Sequence, residues 1–347
     1  MRNRPYGFYS QAGVLCIMIQ SAKITPWLLP MAIAAGLVLG SLLPETRKSL
    51  GAFVDALLFG LLVLLFFEVR FDPLRQVARH LPFLSLAWVA NFVLIPLAGW
   101  GIASLFFPRE SAFFVGLLLY FLFPCTDWFL GFTRMAKGDV ALGTVLLPVN
   151  LISQLLLFPL YLGLITGSQS GTDLGGLNAT LAQWFLFPML CAVVLRLVLT
   201  RILRKGHFEK FSSLSGNLVY WVISLVALCL FGQHTTTLTA TPLALLRILL
   251  AVSLFFLMSW ALGEVLARWL RLNHSQRVLL TMTTAARNAP LILGLTMIAI
   301  PDQPLIHAAL IIGLLVEFPH LIALAQLLLR KDARLHRPRP LPEQARS

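Results

Sequence analysis

A thiol, a hydroxyl and a carboxylate follow a proline in the run Pro124-Cys125-Thr126-Asp127, inside an otherwise apolar segment. Pro124 has no N–H to give to the Tyr120 carbonyl, so a helix must break or kink there. In hydrocarbon, freed backbone groups and a carboxylate are tolerated only where they face protein or water. A second interruption, Ala286-Arg-Asn-Ala-Pro290, comes late in the chain, and Leu293-Gly294 follow it as Leu130-Gly131 follow the first. Two broken membrane helices, one in each half of a chain, point to the binding site of a transporter. The substrate-binding residues expected from this pattern are Cys125, Thr126, Asp127, Arg287 and Asn288, with helix breaks at Pro124 and Pro290.

Each of these residues has two readings. A Cys125 thiolate is a soft ligand that suits a soft metalloid, and the positive end of a new half-helix would favour the thiolate. Otherwise Cys125 is a buried apolar cysteine, as Cys16, Cys191 and Cys229 are read to be. Asp127 and Arg287 are the charges closest to the two breaks. If the broken helices cross, they can neutralise each other, either as a pair that opens for substrate or as a fixed structural pair. Glu317 lies near the middle of the last apolar segment, two residues before Pro319, where a third break is expected to free the Leu315 carbonyl. It is read as the ion-coupling residue, because a proton needs only one titratable group. The alternative is a permanently protonated packing residue. Asn150, Ser153, Gln154 and Gln326 are read as interhelical hydrogen-bonding groups. Glu264 and Glu68, close to span ends, are read as interfacial.

The elements that must hold these residues are membrane helices. Of 347 residues, 58% are apolar and only 12% charged, with a mean hydropathy of +0.84, against about 25% charged in soluble domains. The net charge of +13 is spread through short loops without a continuous basic face, which excludes a nucleic-acid partner. The cysteines show no paired spacing, so neither a disulfide framework nor a zinc site is expected. No cofactor motif is present. A phosphate loop and a His-Glu-x-x-His motif are both missing, which argues against ATP-driven transport and a metalloprotease. The apolar run Val14–Ile19 is too short to span, and a signal peptide is not expected.

Ten apolar segments can cross about 30 Å of hydrocarbon, at about 25–43, 50–69, 81–106, 111–135, 140–166, 177–199, 213–233, 243–267, 276–300 and 304–329. Loop Lys and Arg residues then place both termini in the cytoplasm of a multi-pass plasma (inner) membrane protein. Five helices followed by five give two inverted repeats, about 25–166 and 177–329, with discontinuous helices 4 and 9 crossing near the midplane. The expected fold is all-α: one transmembrane domain over 1–330 and a basic cytoplasmic tail over 331–347.

Three blocks of sequence carry a family resemblance. Cys125 followed by Ala136-Lys-Gly-Asp139 resembles helix 4 of the arsenite efflux permeases, within the bile acid:sodium symporter superfamily. Thr283-Thr-Ala-Ala-Arg-Asn288 resembles their helix 9. Ile312-Gly-Leu-Leu-Val-Glu-Phe-Pro319 resembles their helix 10. The resemblance implies a ten-helix fold of interleaved panel and core bundles that works by alternating access, with the helix-4 cysteine and helix-10 glutamate, here Cys125 and Glu317, as functional residues. Where the arsenite branch has an arginine before the cysteine, this chain has Pro124, as in the Pro-Gly-Gly of the symporter branch. By the same resemblance, the symporter branch's sodium-site positions fall on Phe129, Leu130 and Thr283, which offer few oxygens.

The expected function is therefore secondary transport rather than enzymatic catalysis. The first reading is proton-coupled efflux of arsenite or a related small oxyanion. The second is sodium-coupled symport of a bile acid-like organic anion, and a third is a membrane sensor. The expected partners are a small-molecule or ion substrate, a coupling proton or sodium ion, and the lipid bilayer.

Overall fold

The structure is a computed structural model that describes residues 11–68, 72–126, 128–166, 174–203 and 205–335. Apolar segments without water must satisfy their backbone internally, and this chain does so with helices. In order these are α1 (Gln11–Leu42), α2 (Thr46–Glu68), a 3-10 turn (Asp72–Arg79), α3 (Leu81–Val89), a π-helical segment (Ala90–Leu94), α4 (Ile95–Phe106), α5 (Ala112–Leu122), α6 (Phe129–Met135), α7 (Val140–Thr166), α8 (Leu174–Ile202), α9 (Lys205–Gln233), α10 (Thr235–Thr239), α11 (Pro242–Trp269), α12 (His274–Ala285), α13 (Ala289–Ala299) and α14 (Pro304–Leu335). Among the described residues the β-structure amounts to one antiparallel bridge, between Pro124 and Arg287.

Among the described residues, five helical stretches are long and apolar enough to cross a membrane: Thr46–Phe67, Leu81–Phe106, Val140–Ile165, Pro242–Trp269 and Pro304–Arg330. Four shorter apolar helices accompany them: Trp27–Leu42, Ala112–Leu122, Leu218–Gln233 and Ala289–Ala299. The segments expected at 111–135 and 276–300 are each divided in two, as α5 with α6 and α12 with α13.

The chain forms two compact units, each drawn from three separated pieces. One comprises Met1–Val69, Thr172–Leu243 and Pro290–Ile311. In it, α1 packs on α9, and α9 on α2. A Cβ on Gly36 would meet the Gly232 nitrogen at 3.1 Å, so small residues let these two backbones approach closely. The other unit comprises Arg70–Gly171, Ala244–Ala289 and Ile312–Ser347 and holds both helix breaks. There α5 is approached from two sides. A Cβ on Gly99 of α4 would meet Phe121 Cβ at 2.8 Å, and one on Gly313 of α14 would meet the Tyr120 ring at 2.7 Å. These glycines leave room for the two aromatic side chains that end α5.

Two expectations are corrected. Pro290 does not break a helix, because α12 has already stopped at Ala285 and Pro290 stands in the first turn of α13. A proline is well placed there, where its missing N–H would have no partner anyway. Pro319 does not break α14, which runs on to Leu335, and Pro148, Pro159 and Pro188 likewise lie inside helices. One missing N–H is absorbed when the turns on either side are hydrogen-bonded and packed. Of the expected tail over 331–347, residues 331–335 continue α14, and residues 336–347 lie outside the described residues.

Candidate functional site

The first break follows from Pro124. The residue before a proline is pushed out of the helical region, and Phe123 adopts an extended φ −115°, ψ 116°. The second comes at Ala286, extended at φ −74°, ψ 135°. The two extended stretches pair in antiparallel fashion. The Cys125 N–H donates to the Ala286 carbonyl at 3.0 Å, and the Asn288 N–H to the Phe123 carbonyl at 2.9 Å. Each break thus satisfies part of the other's exposed backbone, as burial requires.

This exchange leaves other carbonyls without their helical donors. Had the helices continued, Phe121 O would accept from Cys125, Thr283 O from Arg287 and Thr284 O from Asn288. The Cys125 and Asn288 amides are spent across the bridge, and the Arg287 amide donates to Glu317 Oε1 at 2.9 Å. The three orphaned carbonyls converge on the Arg287 guanidinium. Its Nη1 donates to Phe121 O at 3.0 Å, and its Nη2 to Thr283 O at 2.9 Å, Thr284 O at 2.7 Å and, more loosely, Asn91 Oδ1 at 3.4 Å. The Phe255 ring centroid lies 5.4 Å from the guanidinium carbon, and Phe255 stacks on Phe121 at 4.3 Å. Arg287 is fully buried, which only such a shell of acceptors makes tolerable.

Glu317, also fully buried, projects from α14 into the same cluster. Its Oε2 accepts from the Tyr120 hydroxyl at 3.2 Å, opposite the backbone bond to Oε1. Beside it runs a chain of neutral polar groups. Asn288 Nδ2 donates to Thr126 Oγ1 at 3.0 Å and to Gln154 Oε1 at 3.3 Å. Asn91 and Asn150 both donate to Thr283 Oγ1, at 3.1 and 3.3 Å.

Of the residues expected at the site, Thr126, Arg287, Asn288 and Glu317 are brought together directly or through one intermediate. Cys125 is fully buried on the bridge. It does not sit at the start of a half-helix as expected: its N–H is spent on Ala286 O, and α6 begins only at Phe129. Asp127 lies outside the described residues. Among the described residues, no group of three or more His, Cys, Asp or Glu side chains could hold a metal ion. Glu264, read as interfacial, is buried in the protein, 3.8 Å from Arg277 and 3.9 Å from Arg268.

The Ala136–Asp139 turn ties this site together from one end. Asp139 Oδ1 caps α7 by accepting from the Leu142 N–H at 2.9 Å, and the Asp139 N–H donates to Ser275 O at 3.1 Å at the start of α12. Sequence reasoning missed Asn91 and the Tyr120 side chain. Asn91 had a signal: an amide in an apolar segment five residues before Pro96. Pro96 cannot donate to Phe92 O, which accepts the Tyr161 hydroxyl at 2.8 Å instead.

Over 94% of its length the chain is 24% identical to the arsenical-resistance protein Acr3 of Corynebacterium glutamicum, covering 93% of that protein. It is 28% identical over 121 residues to the uncharacterized protein YbaS of Bacillus subtilis, covering 35% of this chain and 40% of that one. Residues 56–240 match the family described as the Sodium Bile acid symporter family, more than half of the chain. The molecule is a multi-pass, all-α membrane protein and a secondary transporter, not an enzyme, and it belongs to the Sodium Bile acid symporter family.

Proposed function

We propose that this chain exports arsenite or a related small oxyanion across the plasma membrane in exchange for protons, by alternating access. The observation that carries this reading is the junction of the two interrupted helices, where a buried carboxylate, Glu317, meets a hydroxyl that can both give and take a hydrogen bond. The long match to an arsenical-resistance protein supports the substrate class. Ten spans in two inverted repeats, with both termini cytoplasmic, are the topology this function calls for.

Glu317 has different partners at its two oxygens. The Arg287 N–H can only donate, so it holds Oε1 as an acceptor. The Tyr120 hydroxyl can reverse and accept. A proton arriving at Oε2 therefore keeps its hydrogen bond, whereas one at Oε1 would face an N–H. The geometry supports loading and unloading at Oε2. Thr126, Asn288 and the Cys125 segment are the groups proposed to meet substrate, with Cys125 as the soft ligand for a metalloid cargo. Both Arg287 Nη atoms donate to carbonyls, which supports a structural role for this cation, while its buried Nε–H has no partner.

Everted vesicles loaded with arsenite, antimonite or taurocholate, with and without a proton gradient, test the reading. Arsenite accumulation driven by the gradient is expected, and Glu317→Gln should abolish it while retaining substrate binding. Normal transport by that variant, or transport that stops only when sodium is withdrawn, would overturn proton coupling. Taurocholate uptake in place of arsenite would favour the second reading, sodium-coupled symport of an organic anion, which the family's name supports.

A further inference from the structure

Two helices end at the Arg287 guanidinium, and both present their C-terminal carbonyls to it. Phe121 belongs to the last turn of α5; Thr283 and Thr284 belong to the last turn of α12. A helix C-terminus carries roughly −0.5 of an elementary charge, so two of them together offer about one unit of negative potential at one point. Asn91 adds an amide oxygen, and the Phe255 ring a π face. A shell of backbone carbonyls from half-helix ends is how membrane transporters hold a monovalent coupling cation. Nothing about this shell requires that its cation be covalently attached.

We propose that the oxygen shell of Phe121, Thr283, Thr284 and Asn91 is a monovalent-cation site that this chain fills with its own side chain, Arg287. The guanidinium is a tethered ion that never leaves. It holds the two helix ends together in every step of the cycle, and it removes the need for a diffusible sodium ion at this position. The inference rests on the transporter reading but on neither its substrate nor its proton. It also accounts for where the Nη donors point, to carbonyls of the protein, and Arg287 acts by positioning the junction around Glu317 rather than by touching cargo.

The test removes the tether and supplies the ion. Arg287→Ala, purified in detergent and reconstituted, is assayed for Tm and transport in low-millimolar guanidinium, methylguanidinium, sodium or choline chloride. The variant's Tm is expected to rise with the logarithm of guanidinium or sodium concentration, and part of the lost transport to return, while choline does neither. Wild type should show no such response. An Arg287→Ala protein indifferent to every small cation, or a wild type stabilised by sodium as strongly as the variant, overturns the proposal. If the alanine variant does not fold, Arg287→Lys carries the test. Its ammonium keeps the charge inside the shell, so it should fold and transport without added cation, and a Lys variant as inactive as the uncharged Arg287→Gln overturns the proposal. Sodium-dependent transport by wild type together with a cation-responsive Arg287→Ala would sink proton coupling yet leave the shell standing, so the two readings fail separately.

Discussion

At the scale of single residues, the proposed proton carrier Glu317 is held by the Tyr120 hydroxyl. A hydrogen bond to a charged group contributes about 1.5–3 kcal/mol, and leaving a buried acceptor without it costs a similar amount. Tyr120→Phe keeps the ring that fills the space beside Gly313 and removes only the hydroxyl. We expect a lower Tm and a proton-driven rate reduced far more than substrate affinity, read by vesicle transport alongside equilibrium binding. Equal losses in both would mean that the hydroxyl serves packing alone. Cys125→Ser separates the two roles of the thiol. Serine is nearly isosteric but a poor soft ligand, so arsenite efflux should fall sharply while the unfolding free energy changes by about 1 kcal/mol or less. Undiminished arsenite resistance in cells carrying the Ser variant would make Cys125 a packing residue.

At the scale of elements, the prolines differ in what surrounds them. Pro124 coincides with a true break because a partner strand waits at Ala286 to take its neighbours' hydrogen bonds. Pro319 has no such alternative and stays in a continuous helix. Pro319→Ala should therefore be neutral or stabilising by up to ~3 kcal/mol, with transport retained, as judged by thermal unfolding and vesicle uptake. A strong loss of transport would show that the proline shapes the helix beneath Glu317 after all. The positions of the two interruptions were legible in the sequence because proline and clustered polar residues are local signals. Where each half-helix restarts was not, since it depends on pairing between residues more than 160 apart in the chain. The role of Arg287 was hidden for the same reason: its acceptors are carbonyls, which carry no letter in a sequence.

At the scale of the whole molecule, composition alone identified the class, and the blocks around Cys125, Arg287 and Glu317 identified the family. Two compact units, each assembled from three separated pieces, were less legible, because helices that are neighbours in the chain are parted between units. The proposed topology carries its own prediction. Single cysteines introduced near residue 5 and near residue 340, in a background lacking the native cysteines, should react with a membrane-impermeant maleimide in everted vesicles and not in intact cells. Opposite labelling of the two sites would rule out an even number of spans.

The π-helical segment at Ala90–Leu94 shows how finely chain length is set here. One residue too many for a regular helix lies in this segment, and the surplus turns Asn91 toward Thr283 and Arg287. Deleting a residue from a regular helix shifts its register, but deleting the half-exposed Val93 would remove the surplus and make this helix regular with its flanking turns in place. Asn91, inside the segment, would lose the wide turn that presents it to Thr283 and Arg287. A deletion that improves the local helix should thus silence the transporter, so over evolution this stretch can change its letters far more freely than its count.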